Sequence, residues 1–174
     1  MTQGQNVKEH IRNYLLDEEI LRKRIKSENV EFGFQFVFPP GEHKRVQSMN
    51  VFQPKNKDLI IISIGTQISP HHVDALESQG TQMQFFKELR KVLHLKNLFF
   101  FLDPKNYRYE ISEQVFLDES IISKNEFFRI VRNVFNIQAY SNLLLLDFCS
   151  GDIQPDDVGD AGGLDSKSNF SLYT

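Results

Sequence analysis

Val30-Glu31-Phe32-Gly33-Phe34-Gln35-Phe36-Val37-Phe38 places four phenylalanines at a strict spacing of two. Successive side chains of an extended chain point to opposite sides. Phe32, Phe34, Phe36 and Phe38 therefore line one face of a strand, and Gly33, Gln35 and Val37 line the other. Full burial of four such rings contributes on the order of 6–12 kcal/mol before chain entropy is set against it. The rings read as core rather than as a ligand cage. The ladder thus predicts a sheet whose Phe face is covered by helices.

Working outward, Pro39-Pro40-Gly41 ends the strand, with Pro40 and Gly41 suited to the two central positions of a type II turn. A second strand returns through His43 to Gln53, Pro54-Lys55-Asn56-Lys57 turns again, and Asp58 to Gly65 forms a third strand rich in Ile. Ser69-Pro70 starts a long helix to about His94, with Val73, Leu76, Met83, Phe86, Leu89 and Val92 on one face and a potential break at Gly80-Thr81. Leu98 to Leu102 is a fourth strand, and Asp103-Pro104-Lys105-Asn106 turns it into a fifth, over Tyr107 to Leu117. Ser123-Lys124-Asn125-Glu126 is a capping box for a final helix carrying Phe127, Ile130, Val131, Val134 and Phe135, which Leu143 to Phe148 can extend.

Upstream of the ladder, Val7, Ile11, Tyr14 and Leu15 recur at helical spacing from Asn6 to about Glu18. Ile20 to Lys26 is ambiguous. Leu21 and Ile25 suit a helix, whereas Arg22-Lys23-Arg24 equally suits an edge strand.

The 174 residues, 40% apolar and 25% charged, fit one α+β domain over positions 1–149 followed by a tail. The tail, 150–174, carries Asp152, Asp156, Asp157, Asp160 and Asp165 against Lys167 alone, and its Asp, Gly and Ser content predicts disorder. The body is close to neutral, without the field that would recruit nucleic acid or a membrane surface. A single cysteine, Cys149, excludes an internal disulfide and fits a reducing compartment. The polar N-terminus lacks an apolar signal segment, and no aliphatic run is long enough to span a bilayer, so the expected location is cytoplasmic.

The element order is α-β-β-β-α-β-β-α, with a five-stranded, mainly antiparallel sheet packed by helices. Through Phe34-Gln35-Phe36-Val37-Phe38-Pro39, the Ile60 to Ser69-Pro70 junction and Ser123 to Val134, the chain resembles a mostly archaeal family, domain of unknown function 2299, over roughly positions 6–148. The element order is also similar to that of the type III secretion chaperones. These are small domains that hold an extended segment of a partner and often dimerise. Neither resemblance supplies a catalytic residue, and the acidic tail has no counterpart in them.

No constellation of reactive residues emerges from the sequence. His71 and His72 project about 100° apart on a helix, whereas a metal pair needs a spacing of three or four. His10, His43 and His94 have no sequence partner. Cys149 follows an apolar run, the setting of an inert thiol. The acids Asp17-Glu18-Glu19 and Asp118-Glu119 read as solvated surface, and Gly159 to Gly163 lacks the lysine and hydroxyl of a phosphate loop. The basic groups Arg22-Lys23-Arg24-Lys26, His43-Lys44-Arg45 and Lys87-Arg90-Lys91 lack exposed aromatics between them, which disfavours nucleic acid. The sequence assigns no catalytic residue, cofactor or metal.

What remains is surplus apolar strand surface. Ile60, Ile62 and Ile64 face one side of the third strand while Leu59 and Ile61 face the other, and Phe99 and Phe101 repeat the pattern in the fourth. A strand apolar on both faces is ordinarily covered on both. Val37, Leu59, Ile61, Phe99 and Phe101 are therefore the candidate partner-binding residues of a non-catalytic, chaperone-like protein- or peptide-binding module, with a homodimer as one form of cover. The rival readings are an enzyme whose site is assembled from dispersed residues, a weak nucleic-acid-binding protein, and a docking motif in Phe170, Leu172 and Tyr173 of the tail.

Overall fold

The computed structural model describes residues 3–41, 46–117, 122–150 and 164–165. Helix α1 (Gln3–Asp17) is followed by four strands, β1 (Leu21–Ile25), β2 (Val30–Phe38), β3 (Gln47–Pro54) and β4 (Leu59–Ile68). Helices α2 (Pro70–Gln79) and α3 (Gln82–Leu95), strands β5 (Phe99–Asp103) and β6 (Arg108–Phe116), the long α4 (Lys124–Ser150) and a two-residue β7 (Leu164–Asp165) complete the order. Six strands form the sheet in the order β1-β2-β3-β4-β6-β5, with every neighbouring pair antiparallel, and β7 pairs with β4.

The expected five-stranded sheet is thus corrected to six by β1. A bulge between Leu21 and Lys23 is the reason for the ambiguity at this segment. Leu21 pairs with Phe36 and packs against the core, whereas Ile25 pairs with Gly33 on the opposite face. Residues four apart on a regular strand share a face. The extra residue of the bulge breaks that parity and leaves a spacing that mimics a helix.

The single long helix expected after Ser69-Pro70 is two helices. Gly80 adopts φ 65, the left-handed region that a glycine enters without steric cost, and the Gly80 and Thr81 amides donate to the Glu77 and Leu76 carbonyls. Pro70 opens α2 as foreseen, although the Ser69 hydroxyl meets His72 Nδ1 at 2.9 Å instead of capping the helix backbone. At α4 the capping serine is in place, with the Glu126 amide donating to Ser123 Oγ at 3.2 Å, and the helix runs on through Leu143 to Phe148. Of the tail, β7 is described and Ser150 ends α4; the disorder expected of 151–163 and 166–174 lies outside the described residues.

All four helices lie on the Phe face. Phe32, Phe34, Phe36 and Phe38 are buried together with Val7, Ile11 and Leu15 of α1. Phe36 meets Phe127 of α4 at a ring-centroid distance of 6.4 Å, and Phe38 meets Phe135 at 5.2 Å. At the other end of the sheet, Phe85 of α3 lies 6.4 Å from Tyr109, whose hydroxyl is bonded to Ser141 of α4 at 2.8 Å. These contacts leave the opposite, outer face without a helix among the described residues.

Candidate protein-binding surface

The strand registers define the outer face row by row. One row is Ile25, Gly33, Phe52, Ile61 and Gln114, and the next is Lys23, Gln35, Asn50, Ser63, Ser112 and Phe99. Leu59 stands beside Phe116, and Gly65 beside Glu110 and Phe101. Val37, Leu59, Ile61, Phe99 and Phe101 therefore all fall on the outer face, the side away from the Phe ladder.

Sharing a face does not make one patch of them. A polar band of Asn50, Ser63, Ser112 and Glu110 separates Ile61 and Leu59 from Phe99 and Phe101, while Val37 sits toward β1 and touches the main core. Their exposure differs as well. Ile61 is buried, Val37, Leu59 and Phe101 are half-buried, and Phe99 is 55% exposed.

The buried end of the face is closed by its own packing. A Cβ at Gly33 would stand 2.9 Å from Ile25 Cβ and 3.1 Å from Phe52 Cβ, so the missing side chain is what lets β1 and β3 send Ile25 and Phe52 over it. Phe52 and Ile61 are buried here without belonging to the helix-covered core cluster.

Sequence reasoning missed Phe116, 70% exposed beside Leu59, although its alternation with Val115 and Leu117 carried the signal. It also missed Glu110, for which no local pattern gives a signal. This residue is 1% exposed, and burial pushes its carboxyl up to about 7 against a smaller opposing pull from the Ser63 hydroxyl. Glu110 Oε2 and Ser63 Oγ find no well-aligned hydrogen-bond partner among the described residues.

The remaining candidates form no site. His71 and His72 adjoin at a ring distance of 5.6 Å, and burial, then the His71 charge, lowers the His72 pKa. His10 Nδ1 contacts the Asn6 carbonyl at 2.7 Å, and His94 packs edge-on against Phe100 at 4.9 Å. Burial pushes the half-buried Cys149 thiol up to about 11. Asp17 and Glu18 both reach Lys124 across the surface. No group of three His, Cys, Asp or Glu able to hold a metal occurs among the described residues. Asp118, Glu119, His43, Lys44, Arg45 and Gly159 to Gly163 lie outside them.

Two of the basic groups are placed at opposite ends of the sheet. Arg22, Lys23 and Arg24 of β1 line a concavity with Lys8 and Arg12 of α1, in which the aromatic residue, Phe34, is buried. Lys87, Arg90 and Lys91 belong to α3, which packs at the β5 end. Exposed rings for stacking bases are missing from the first group, and no common surface joins the two.

Residues 7–145 match the model of the family described as "Uncharacterized conserved protein (DUF2299)". The chain belongs to the DUF2299 family. The match spans α1 to most of α4 and stops before the acidic tail. A crystal structure of an uncharacterized protein from Methanothermobacter thermautotrophicus is similar to this DUF2299 chain in fold, with a TM-score of 0.72, 24% identity, and coverage of 83% of this chain and 99% of that one. No curated protein matches it. The DUF2299 chain is an α+β protein with an antiparallel sheet, and none of its described helices is long and apolar enough to cross a membrane.

Proposed function

We propose that the protein is a non-catalytic protein- or peptide-binding module that adds an extended segment of a partner at the β5 edge of the sheet. The observation that carries this reading is the contrast between the two edges of the sheet. At the β1 edge, Arg22, Lys23 and Arg24 are exposed, a charged guard of the kind that keeps edge strands from pairing. The β5 edge reads Phe99-Phe100-Phe101-Leu102, without a charge before Asp103, and β6 is its one strand neighbour among the described residues.

A partner strand would gain main-chain hydrogen bonds from β5 and place alternate apolar side chains beside Phe99 and Phe101 on the outer face. Its chemistry is thus an extended segment with apolar residues at every second position. A chaperone-like role, a unit spanning 1–149 and a cytoplasmic setting are compatible with this reading. Catalysis has less support, because among the described residues Glu110 is the one ionisable group on the outer face with a raised pKa, and no second one there converges on it.

A photo-crosslinking residue at position 99, used in the native host and followed by mapping of the crosslinked peptides, tests the reading. Crosslinks to an alternating apolar segment of another protein, lost on Phe101→Lys, are the expected result. Crosslinks to β5 of a second copy would replace the partner with a homodimer, and a lack of crosslinks to any chain would remove the proposal.

A further inference from the structure

We propose that the concavity between α1 and β1 binds a small anion carrying two or more phosphate groups. The inference is independent of partner addition at β5, which lies at the other end of the sheet.

The bulge in β1 builds the site. Residues three apart on a regular strand face opposite sides. The extra residue between Leu21 and Lys23 breaks that rule, so that Leu21 pairs with Phe36 and Arg24 with Phe34, both on the Phe face. Arg24 is thereby brought to the side of the sheet on which α1 packs. Lys8 and Arg12, one turn apart on α1, line the same concavity together with Arg22 and Lys23. Its volume is about 400 Å³, and Leu21 and the buried Phe34 supply an apolar wall.

Five cations against Glu9 leave a local charge of +4, in a chain whose net charge is −3. None of the five has an ion-pair partner among the described residues. Guarding an edge strand accounts for Arg22, Lys23 and Arg24. It does not account for two further cations on a helix, where like charges at a spacing of four cost stability. The neighbouring concavity at the β1-β2 turn sets Arg24 and Lys26 against Glu28 and Glu31, so its charges cancel. An anion is therefore drawn to the α1 side, where the apolar wall strengthens the field.

The donors and the space favour phosphate on a small molecule. Arg12, Arg22 and Arg24 each offer a planar fork that matches phosphate oxygens, and Lys8 and Lys23 add point charges. Two phosphate groups of about −1.5 to −2 each balance the local charge. The volume falls in the range of roughly 300–1,000 Å³ that small-molecule sites occupy. An acidic protein segment fits less well, because its carboxylates would have to follow β1, whose bulge disturbs pairing along the edge. Single-stranded nucleic acid would need rings on which to stack its bases, and the one aromatic residue lining the concavity is buried.

Isothermal titration calorimetry of the full chain with inorganic tripolyphosphate, at about 0.15 M salt so that diffuse attraction is screened, tests the proposal. Saturable binding at one site per chain is expected. Arg12→Gln and Arg24→Gln should each weaken it at least about tenfold. Lys87→Gln with Arg90→Gln, which removes two charges from α3, should change it by no more than about twofold. Arg12 and Arg24 are exposed, so their variants should keep the thermal midpoint of the wild type; Lys8→Gln gives an independent reading if one of them does not. Citrate, with three carboxylates, should compete at least about tenfold more weakly than tripolyphosphate binds. A lack of saturable binding, equal weakening by the α3 variant, or equal competition by citrate would overturn the proposal. So would a duplex DNA oligonucleotide that binds more tightly than tripolyphosphate and is lost in the same variants, since the cations would then serve a nucleic-acid backbone.

Discussion

Phe101 and Glu110 are cross-strand partners on β5 and β6, and the glutamate between Phe101 and Gly65 is 1% exposed on the face that carries no helix among the described residues. A buried carboxyl, one of whose oxygens, Oε2, finds no well-aligned hydrogen-bond partner among the described residues, costs stability once it ionises. The Glu110 carboxyl stands at about 7 in the folded protein, against a reference value of 4.5. Below about pH 4.5 both the folded and the unfolded chain hold this proton. Between 4.5 and 7 the unfolded chain releases it first and stability falls, and above 7 the loss is complete and constant. Each tenfold difference in proton affinity between the two states is worth about 1.4 kcal/mol. Glu110→Gln should therefore match the wild type near pH 4 and exceed it by about 2–4 kcal/mol above pH 7. Urea midpoints measured from pH 4 to 8 provide the check, and a difference independent of pH would show that the carboxyl is not held protonated by burial.

Gly33→Ala should destabilise the protein by about 1–3 kcal/mol, the usual range for overpacking. The added methyl would meet Ile25 Cβ at 2.9 Å and Phe52 Cβ at 3.1 Å, and neither Cβ is the far end of a flexible side chain. Thermal unfolding of the variant measures the loss. An unchanged midpoint would mean that β1 shifts freely at its bulge.

The sequence revealed most where one residue decides one face. The Phe ladder, the Pro70 helix start and the Ser123 cap each act locally, and each stands where the pattern put it. Less was legible wherever tertiary partners decide. The bulge in β1 depends on pairing with β2, and the break between α2 and α3 depends on Gly80 actually entering the left-handed region. In the candidate surface, parity placed Val37, Leu59, Ile61, Phe99 and Phe101 on one face correctly. The polar band that divides them, and the burial of Glu110, follow from which strands become neighbours, and the β4-β6 pairing joins segments more than forty residues apart. Periodicity within a strand carries no information on that.

Phe127 and Phe116 should respond oppositely to truncation. Phe127 is fully buried and meets Tyr14, Phe36 and Phe128, so Phe127→Ala removes the ring on which α1, β2 and α4 converge and should cost about 3–5 kcal/mol. Phe116→Ser alters a 70% exposed ring and should change stability by no more than about 0.5 kcal/mol. Chemical denaturation of the two variants side by side tests the assignment of inner and outer faces. A large loss from Phe116→Ser would place that ring under cover.

Cys149 should react as a protected thiol. It stands on α4 against α2, with its Sγ 3.6 Å from the His72 carbonyl, and burial raises its pKa to about 11. The thiolate is the reactive form, so at pH 8 roughly one thiol in a thousand is ionised, against about a quarter for an unperturbed cysteine of pKa about 8.5. Alkylation with iodoacetamide at pH 8 should therefore be at least about a hundredfold slower in the folded protein than in urea. The Gln79 amide donates to the Cys149 carbonyl at 2.6 Å and the Thr81 hydroxyl to the Phe148 carbonyl at 3.2 Å, so the junction of α2 and α3 holds the last turns of α4 in place. Gln79→Ala with Thr81→Ala should release that end and raise the alkylation rate without altering the global unfolding midpoint by more than about 1 kcal/mol. Equal rates for the folded wild type and the unfolded chain would show that the end of α4 is already open.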